Sequence, residues 1–493
     1  MTDGQTIYRH MVRGSAWALA MRWGLRAMGF VSIVILARLL SPEDFGVVAM
    51  ASLVIAFLET STDMGVSQLV IREPGIGRGF INTAWTFQIF IAVFNAIVLV
   101  AIAPFAAHYF DEPRVTTVIY VLAVAGIIAG ASNIGMVLVR KELDFARDFR
   151  FTIYRRVIRF VVVVSAAYVM RSYWALVIGL VAGRVAGFAL SYRMHVYRPR
   201  PCLTWARKFW VFSLSIIPLR IAKFLNNKAH TIVVGGLGDT GQLGNYHMAA
   251  EVSSMLTNEV VMPLGRGLFP NYAKLVQEPD RLRQVYLYVL SVIGLLCFPM
   301  GFGLSVMAQE FVAVVLGDQW VGAVPLVRWL AVYATVAAIV HLMSGQILIV
   351  SGHEKAAAIL AWIRLAIFVP AIVAGASLNG AEGVAMAATG ATMALVPVAA
   401  FGLKSKLALP YGQLAGALWR PLAAAGVMVA ALLALDIGAN VLGGWALFAE
   451  IIVGVAVYVT TLGAFWGVAG KPEGPEKIVA SFAVAKLSAR FRR

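Results

Sequence analysis

Long apolar runs, separated by short polar and basic breaks, dominate the chain. Residues 79–110, 115–139, 284–309, 329–353 and 383–403 contain no Asp, Glu, Lys or Arg. Each matches or exceeds the ~20 residues a helix needs to cross a bilayer. Runs at 15–40, 45–70, 152–170, 172–192, 209–234, 241–266, 357–376, 416–436 and 444–468 carry one to three charges each. The pattern predicts an all-α integral membrane protein of about fourteen transmembrane helices.

Composition narrows the class. Of 493 residues, 60% are hydrophobic and 13% are charged, about half the charged share of a soluble domain. A water-soluble fold would expose large apolar patches with that balance, whereas lipid accommodates them. The formal charge of +17 would suggest nucleic acid in a soluble domain. Here the basic residues flank apolar runs, which is the positive-inside pattern, and no nucleic-acid partner is expected. With the N-terminus inside, twenty-five Lys and Arg fall on the cytoplasmic side, against Arg114 and Arg171 outside. Both termini of a multi-pass membrane protein are therefore expected in the cytoplasm.

A shift of 198 residues superposes Arg22 on Arg220, Gly46 on Gly244, Met50 on Met248 and Ala51 on Ala249. This suggests duplicated halves, a common transporter layout. The expected organisation is an N-terminal six-helix lobe at 1–200 and a C-terminal six-helix lobe at 201–406. Two additional helices follow at 407–470, then a basic cytoplasmic tail at 471–493.

Charges inside a bilayer are expensive unless paired or hydrated, so each is a functional candidate. Arg22 and Arg26 share one helix face, as do Glu59 and Asp63. In a regular antiparallel hairpin turning near residues 42–43, Arg26 sits opposite Glu59 and Arg22 opposite Asp63. That arrangement reads either as a structural clamp or as a ligand contact. Arg220, Lys223, Lys228, Glu251, Glu259 and Arg266 form the second polar set, and Arg184 and Arg364 interrupt other spans. Arg38, Arg159 and Arg328 lie nearer helix ends, where a long side chain snorkels to the interface. Basic groups outnumber acidic ones, so a cavity between the halves would be cationic and suited to a phosphate or diphosphate. The candidate substrate-binding residues are Arg22, Arg26, Arg220, Lys223 and Arg266. The candidate ion-pair or coupling residues are Glu59, Asp63 and Glu259.

Other motifs carry no chemistry. Gly236-Leu237-Gly238-Asp239-Thr240-Gly241 fits a dinucleotide fingerprint, but a strand and an open βαβ unit are missing around it, so the glycines are read as a hairpin turn. His353-Glu354 lacks the second histidine of a zinc helix. No metal, cofactor or catalytic residue is expected, and the chain is not read as an enzyme. A polymerase or glycosyltransferase would need a large external loop, and none is long enough.

The stretch Leu39-Leu40-Ser41-Pro42-Glu43-Asp44-Phe45-Gly46, followed by Asp63-Met64-Gly65, resembles the polysaccharide transporter family. That family belongs to the multidrug/oligosaccharidyl-lipid/polysaccharide exporter superfamily. Leu316-Gly317-Asp318-Gln319-Trp320, Ala323-Val324-Pro325-Leu326 and Ser351-Gly352-His353-Glu354-Lys355 are similar to the same family, in its Wzx-type and colanic-acid-exporter-like members. The resemblance implies a flippase that moves polyprenyl-diphosphate-linked oligosaccharide across the bacterial inner membrane for lipopolysaccharide, capsule or exopolysaccharide synthesis. It implies two six-helix lobes around a cationic cavity, lined here by Arg22, Arg26, Arg220 and Arg266. The polymerase and chain-length proteins of polysaccharide assembly are candidate partners. The competing readings are a cation-coupled drug antiporter of the same superfamily and a non-transporting component of an assembly complex.

Overall fold

The computed structural model describes residues 24, 27–142, 144–344, 346–435, 445–470 and 474–476. Among them there are helices and turns but no strand. The helices are α1 (Ala27–Leu39), α2 (Pro42–Thr62), α3 (Val66–Arg72), α4 (Arg78–Tyr109), α5 (Arg114–Gly130), α6 (Gly135–Lys141), α7 (Phe145–Met170), α8 (Trp174–Met194), α9 (Ala206–Gly235) and α10 (Thr240–Leu275). They continue as α11 (Pro279–Val306), α12 (Ala308–Phe311), α13 (Val324–Ser344), α14 (Gln346–Val350), α15 (Glu354–Leu407), α16 (Tyr411–Leu435) and α17 (Ala446–Val468).

Eight of the described helices are long and apolar enough to cross a membrane, or nine if the bent pair α5–α6 counts as one span. The expected count of fourteen also includes shorter and more polar segments. The expected spans within α7, α9 and α10 each carry three Lys, Arg or Glu residues, and α1 is short. Moreover, α15 is broken at Asn379–Gly380, where Gly380 takes φ +54°, a left-handed conformation open to glycine. Its two arms approach so closely that a Cβ on Gly375 would strike the Gly383 carbonyl, and the reverse.

The chain forms two compact units, Met1–Phe224 with Gly238–Gly244, and Leu225–Leu237 with Asn245–Arg493. In the first unit, Val70, Phe80, Phe87, Ile134 and Phe209 make a buried apolar cluster. The start of α2 is fixed by a capping box. Ser41 Oγ accepts from the Asp44 amide at 3.3 Å, and Asp44 Oδ2 accepts from the Ser41 amide at 3.1 Å. Pro42 occupies the first helical position, where its missing N–H costs nothing. The other carboxylate oxygen of Asp44 accepts from the Tyr173 amide at 2.7 Å, which ties α2 to the α7–α8 turn. This is the physical content of the Ser-Pro-Glu-Asp stretch.

Two residues further, Gly46 touches the start of α10. A Cβ on Gly46 would overlap the Thr240 carbonyl, and a Cβ on Gly244 would overlap the Pro42 carbonyl. The contact is reciprocal: Pro42 and Thr240, and Gly46 and Gly244, are separated by the same 198 positions as the sequence shift. The Gly236–Gly241 stretch is the turn between α9 and α10, with Gly238 at φ +77°.

In the second unit the core gathers Tyr286, Leu290, Ile293, Cys297, Leu348, Leu403 and Ala424 from α11, α14, α15 and α16. Arg420 on α16 forms an ion pair with Glu476 at 2.9 Å, and both side chains are buried.

Candidate functional site

The polar site of the first unit is assembled where α2 ends. The helix stops at Thr62, and Asp63 leaves it in an extended conformation (φ −66°, ψ 98°). Gly65 takes φ +64° and donates its amide to Asp63 Oδ1 at 2.9 Å. This Asx turn re-aims the chain into α3 and leaves the second carboxylate oxygen of Asp63 free to meet Arg220 on α9 in an ion pair. One turn earlier, Glu59 pairs with Arg184 of α8 at 3.0 Å. The second guanidinium arm of Arg184 donates to the Leu122 carbonyl of α5 at 2.9 Å. Gly126, one turn beyond Leu122, leaves room for that arm, since a Cβ there would lie 3.1 Å from it.

Glu59, Asp63, Gln88, Asn95 and Arg184 line a pocket of about 330 Å³. Gln88 donates to the Gly130 carbonyl at 2.7 Å, at the bend that separates α5 from α6. The Asn95 side-chain oxygen is buried without a hydrogen-bond partner among the described residues. The arginines are the more enclosed members of both pairs: Arg220 is 19% exposed against 47% for Asp63, and Arg184 is 23% against 49% for Glu59. Each guanidinium sits beside a carboxylate and has donors left for a second acceptor. The chemistry available is recognition of an oxyanion, with the carboxylates as positioning groups.

The residues expected at the site divide into three groups. Glu59, Asp63 and Arg220 are drawn into ion pairs. Arg22 and Arg26 lie outside the described residues. Lys223 falls on α9, and Glu259 and Arg266 fall on α10, with side chains outside those described. The hairpin register placed Glu59 and Asp63 opposite Arg26 and Arg22; the structure gives them Arg184 and Arg220 as partners. Sequence reasoning did not single out Arg155 and Arg156, which line a second pocket together with Arg159 and Arg184. Among the described residues no group of His, Cys, Asp and Glu is arranged to hold a metal.

Known proteins fit this architecture. The chain is similar to the lipopolysaccharide biosynthesis protein WzxC of Escherichia coli (strain K12). The two are 23% identical over 390 residues, which is 76% of this chain and 77% of that one. Its fold resembles the lipid II flippase MurJ in an inward closed conformation, with TM-score 0.74 and 11% identity over 91% of this chain and 98% of the other. It also resembles an inward-facing multidrug resistance MATE family transporter of the MOP superfamily, with TM-score 0.61 and 13% identity over 78% and 94% of the two chains. The profile of the polysaccharide biosynthesis protein family matches residues 35–325, more than half of the sequence. This multi-pass membrane chain belongs to the polysaccharide biosynthesis protein family.

Proposed function

We propose that the chain is a flippase of the bacterial inner membrane. It translocates an anionic polyprenyl-diphosphate-linked oligosaccharide for surface polysaccharide synthesis, by alternating access of a cationic central cavity. The observation that carries this reading is the pair of apolar-run arginines, Arg184 and Arg220, each held in place by a carboxylate in a member of this family. Arginine forks suit phosphate geometry, and an arginine fixed by a neighbour loses less freedom when it binds. A drug antiporter would present a predominantly acidic cavity to a cationic cargo; here Glu59 and Asp63 are each balanced by an arginine.

The proposal includes fourteen spans, both termini in the cytoplasm and two six-helix lobes followed by two further helices. Arg22, Arg26, Lys223 and Arg266 are proposed cavity residues alongside Arg220, and Asp63 and Glu259 are the candidates for a coupling cation. The test is translocation of a short oligosaccharide on a polyprenyl diphosphate in proteoliposomes, with Arg22→Ala, Arg220→Gln and Arg266→Ala in parallel. Loss of transport in variants that remain folded supports the cationic cavity; full activity in all three removes it.

A further inference from the structure

Three arginines stand close together on α7 without carboxylate partners. Arg155, Arg156 and Arg159 line a pocket of about 500 Å³, together with Arg140, Arg184 and Asn133. Arg140 is neutralised by Asp148 at 2.9 Å and Arg184 by Glu59 at 3.0 Å. Among the described residues no carboxylate lies within salt-bridge distance of the other three; Arg155 meets the Phe151 ring at 5.8 Å, and Asp148, already paired with Arg140, acts on it only at longer range. The pocket thus carries an excess of three positive charges.

The pocket is shaped by a glycine register. Gly179, Gly183 and Gly187 recur every fourth residue on α8 and face Val163, Arg159 and Arg155, which recur every fourth residue on α7. A Cβ on Gly183 would lie 3.2 Å from Arg159 Cδ, and one on Gly187 would lie 3.1 Å from Arg155 Cδ. The missing side chains let both arginine stems lie flat on α8 and carry their guanidiniums into the pocket. Like charges this close repel unless an anion sits between them, and clustered guanidiniums match the oxygens of a phosphoryl group.

The same turns of α7 present Val157, Ile158 and Val161 outward, all exposed. Such an exposed apolar surface suits acyl chains, and long arginine side chains beside it can extend towards phosphate-bearing headgroups.

We propose that the α7–α8 pocket binds the phosphate of a lipid headgroup, at a site that adjoins the ion-paired arginines and shares Arg184 with them. Two lipids offer that chemistry, a bulk anionic phospholipid and a polyprenyl diphosphate. The assignment rests on the pocket and is independent of the translocation reading.

The test is equilibrium binding to the full chain in neutral detergent. The probes are farnesyl diphosphate, short-chain phosphatidylglycerol, inorganic diphosphate and farnesol, the last as an uncharged control. Wild type binds the phosphate-bearing lipids and not farnesol. The combined variant Arg155→Gln, Arg156→Gln, Arg159→Gln loses at least tenfold in affinity. Gly187→Val, which keeps every charge and displaces the Arg155 stem, also weakens binding and covers the case in which the triple variant fails to fold. A preference for farnesyl diphosphate identifies the polyprenyl lipid, and equal affinity for phosphatidylglycerol identifies the bulk headgroup. Binding of inorganic diphosphate without either lipid overturns the lipid assignment. Unchanged affinity for every probe in monodisperse triple variant and Gly187→Val protein overturns the site.

Discussion

Replacing Gly46 or Gly244 by alanine tests the reciprocal contact between the starts of α2 and α10. Each added methyl would sit well under 3.0 Å from a carbonyl oxygen, that of Thr240 or of Pro42. The struck atom belongs to the backbone, so no side-chain rotation relieves the overlap, and the two helix ends have to part by about 1 Å. A gap of that size forfeits roughly a quarter to a half of the dispersion attraction along its lining. Overpacking of this kind costs about 1–3 kcal/mol. Against it stands the gain of alanine over glycine in a helix, about 0.5–1 kcal/mol. The steric cost is the larger over most of that range, leaving a net loss of up to about 2.5 kcal/mol. For a cooperative unit of this size each kcal/mol lowers the unfolding midpoint by about 2–4 °C.

The assay is thermal unfolding of the purified chain in detergent. Gly426→Ala serves as reference, because a Cβ there meets nothing within 4 Å and should hold or raise the midpoint. The double variant should lose less than the sum of the single losses, since helices already parted by one methyl accommodate the second more cheaply. If either single variant behaves like Gly426→Ala, the close approach of α2 and α10 is wrong.

Three further expectations follow from other parts of the molecule. Removing Glu476 with Glu476→Ala leaves Arg420 charged and buried, a loss of about 3–5 kcal/mol; urea unfolding that matches wild type would show the pair to be immaterial. Cys202 lies in a basic loop and Cys297 is buried; on the proposed topology an impermeant maleimide should label Cys202 from the cytoplasmic face alone and leave Cys297 unmodified until denaturation. Labelling of Cys202 in sealed right-side-out vesicles would reverse the topology. His195 accepts the Tyr197 amide on Nδ1 at 3.0 Å, and burial, aided by Arg147, holds its imidazole below the usual value of 6.5. The unfolded chain therefore takes up this proton first, and the contribution is full above about pH 6.5 and is lost as pH falls below it. The slope of midpoint against pH should flatten in His195→Gln, and an unchanged slope would remove His195 from the account.

The sequence made the apolar runs, the Gly236–Gly241 turn and the 198-residue offset legible, because each depends on local composition or on matching positions. The ion-pair partners were not legible. The hairpin register continues α2 through Asp63, whereas α2 ends at Thr62 and an Asx turn holds one Asp63 oxygen on the Gly65 amide. Arg184 and Arg220 reach Glu59 and Asp63 from distant helices, and such contacts are set by packing. Nor was it legible that the Arg159 stem rests against Gly183 on the facing helix and lines a pocket. The matching four-residue spacings on α7 and α8 are present in the sequence, and they acquire meaning only when the two helices are placed against each other.

The proposed function is movement of a lipid-linked sugar through recognition of its charged link. The direct measurement is translocation by wild-type protein in proteoliposomes of one short oligosaccharide on two carriers, a polyprenyl diphosphate and an uncharged lipid. The account predicts movement of the diphosphate-linked sugar and little of the neutral one. Equal movement of both, or none of the diphosphate-linked sugar by folded protein, would contradict it.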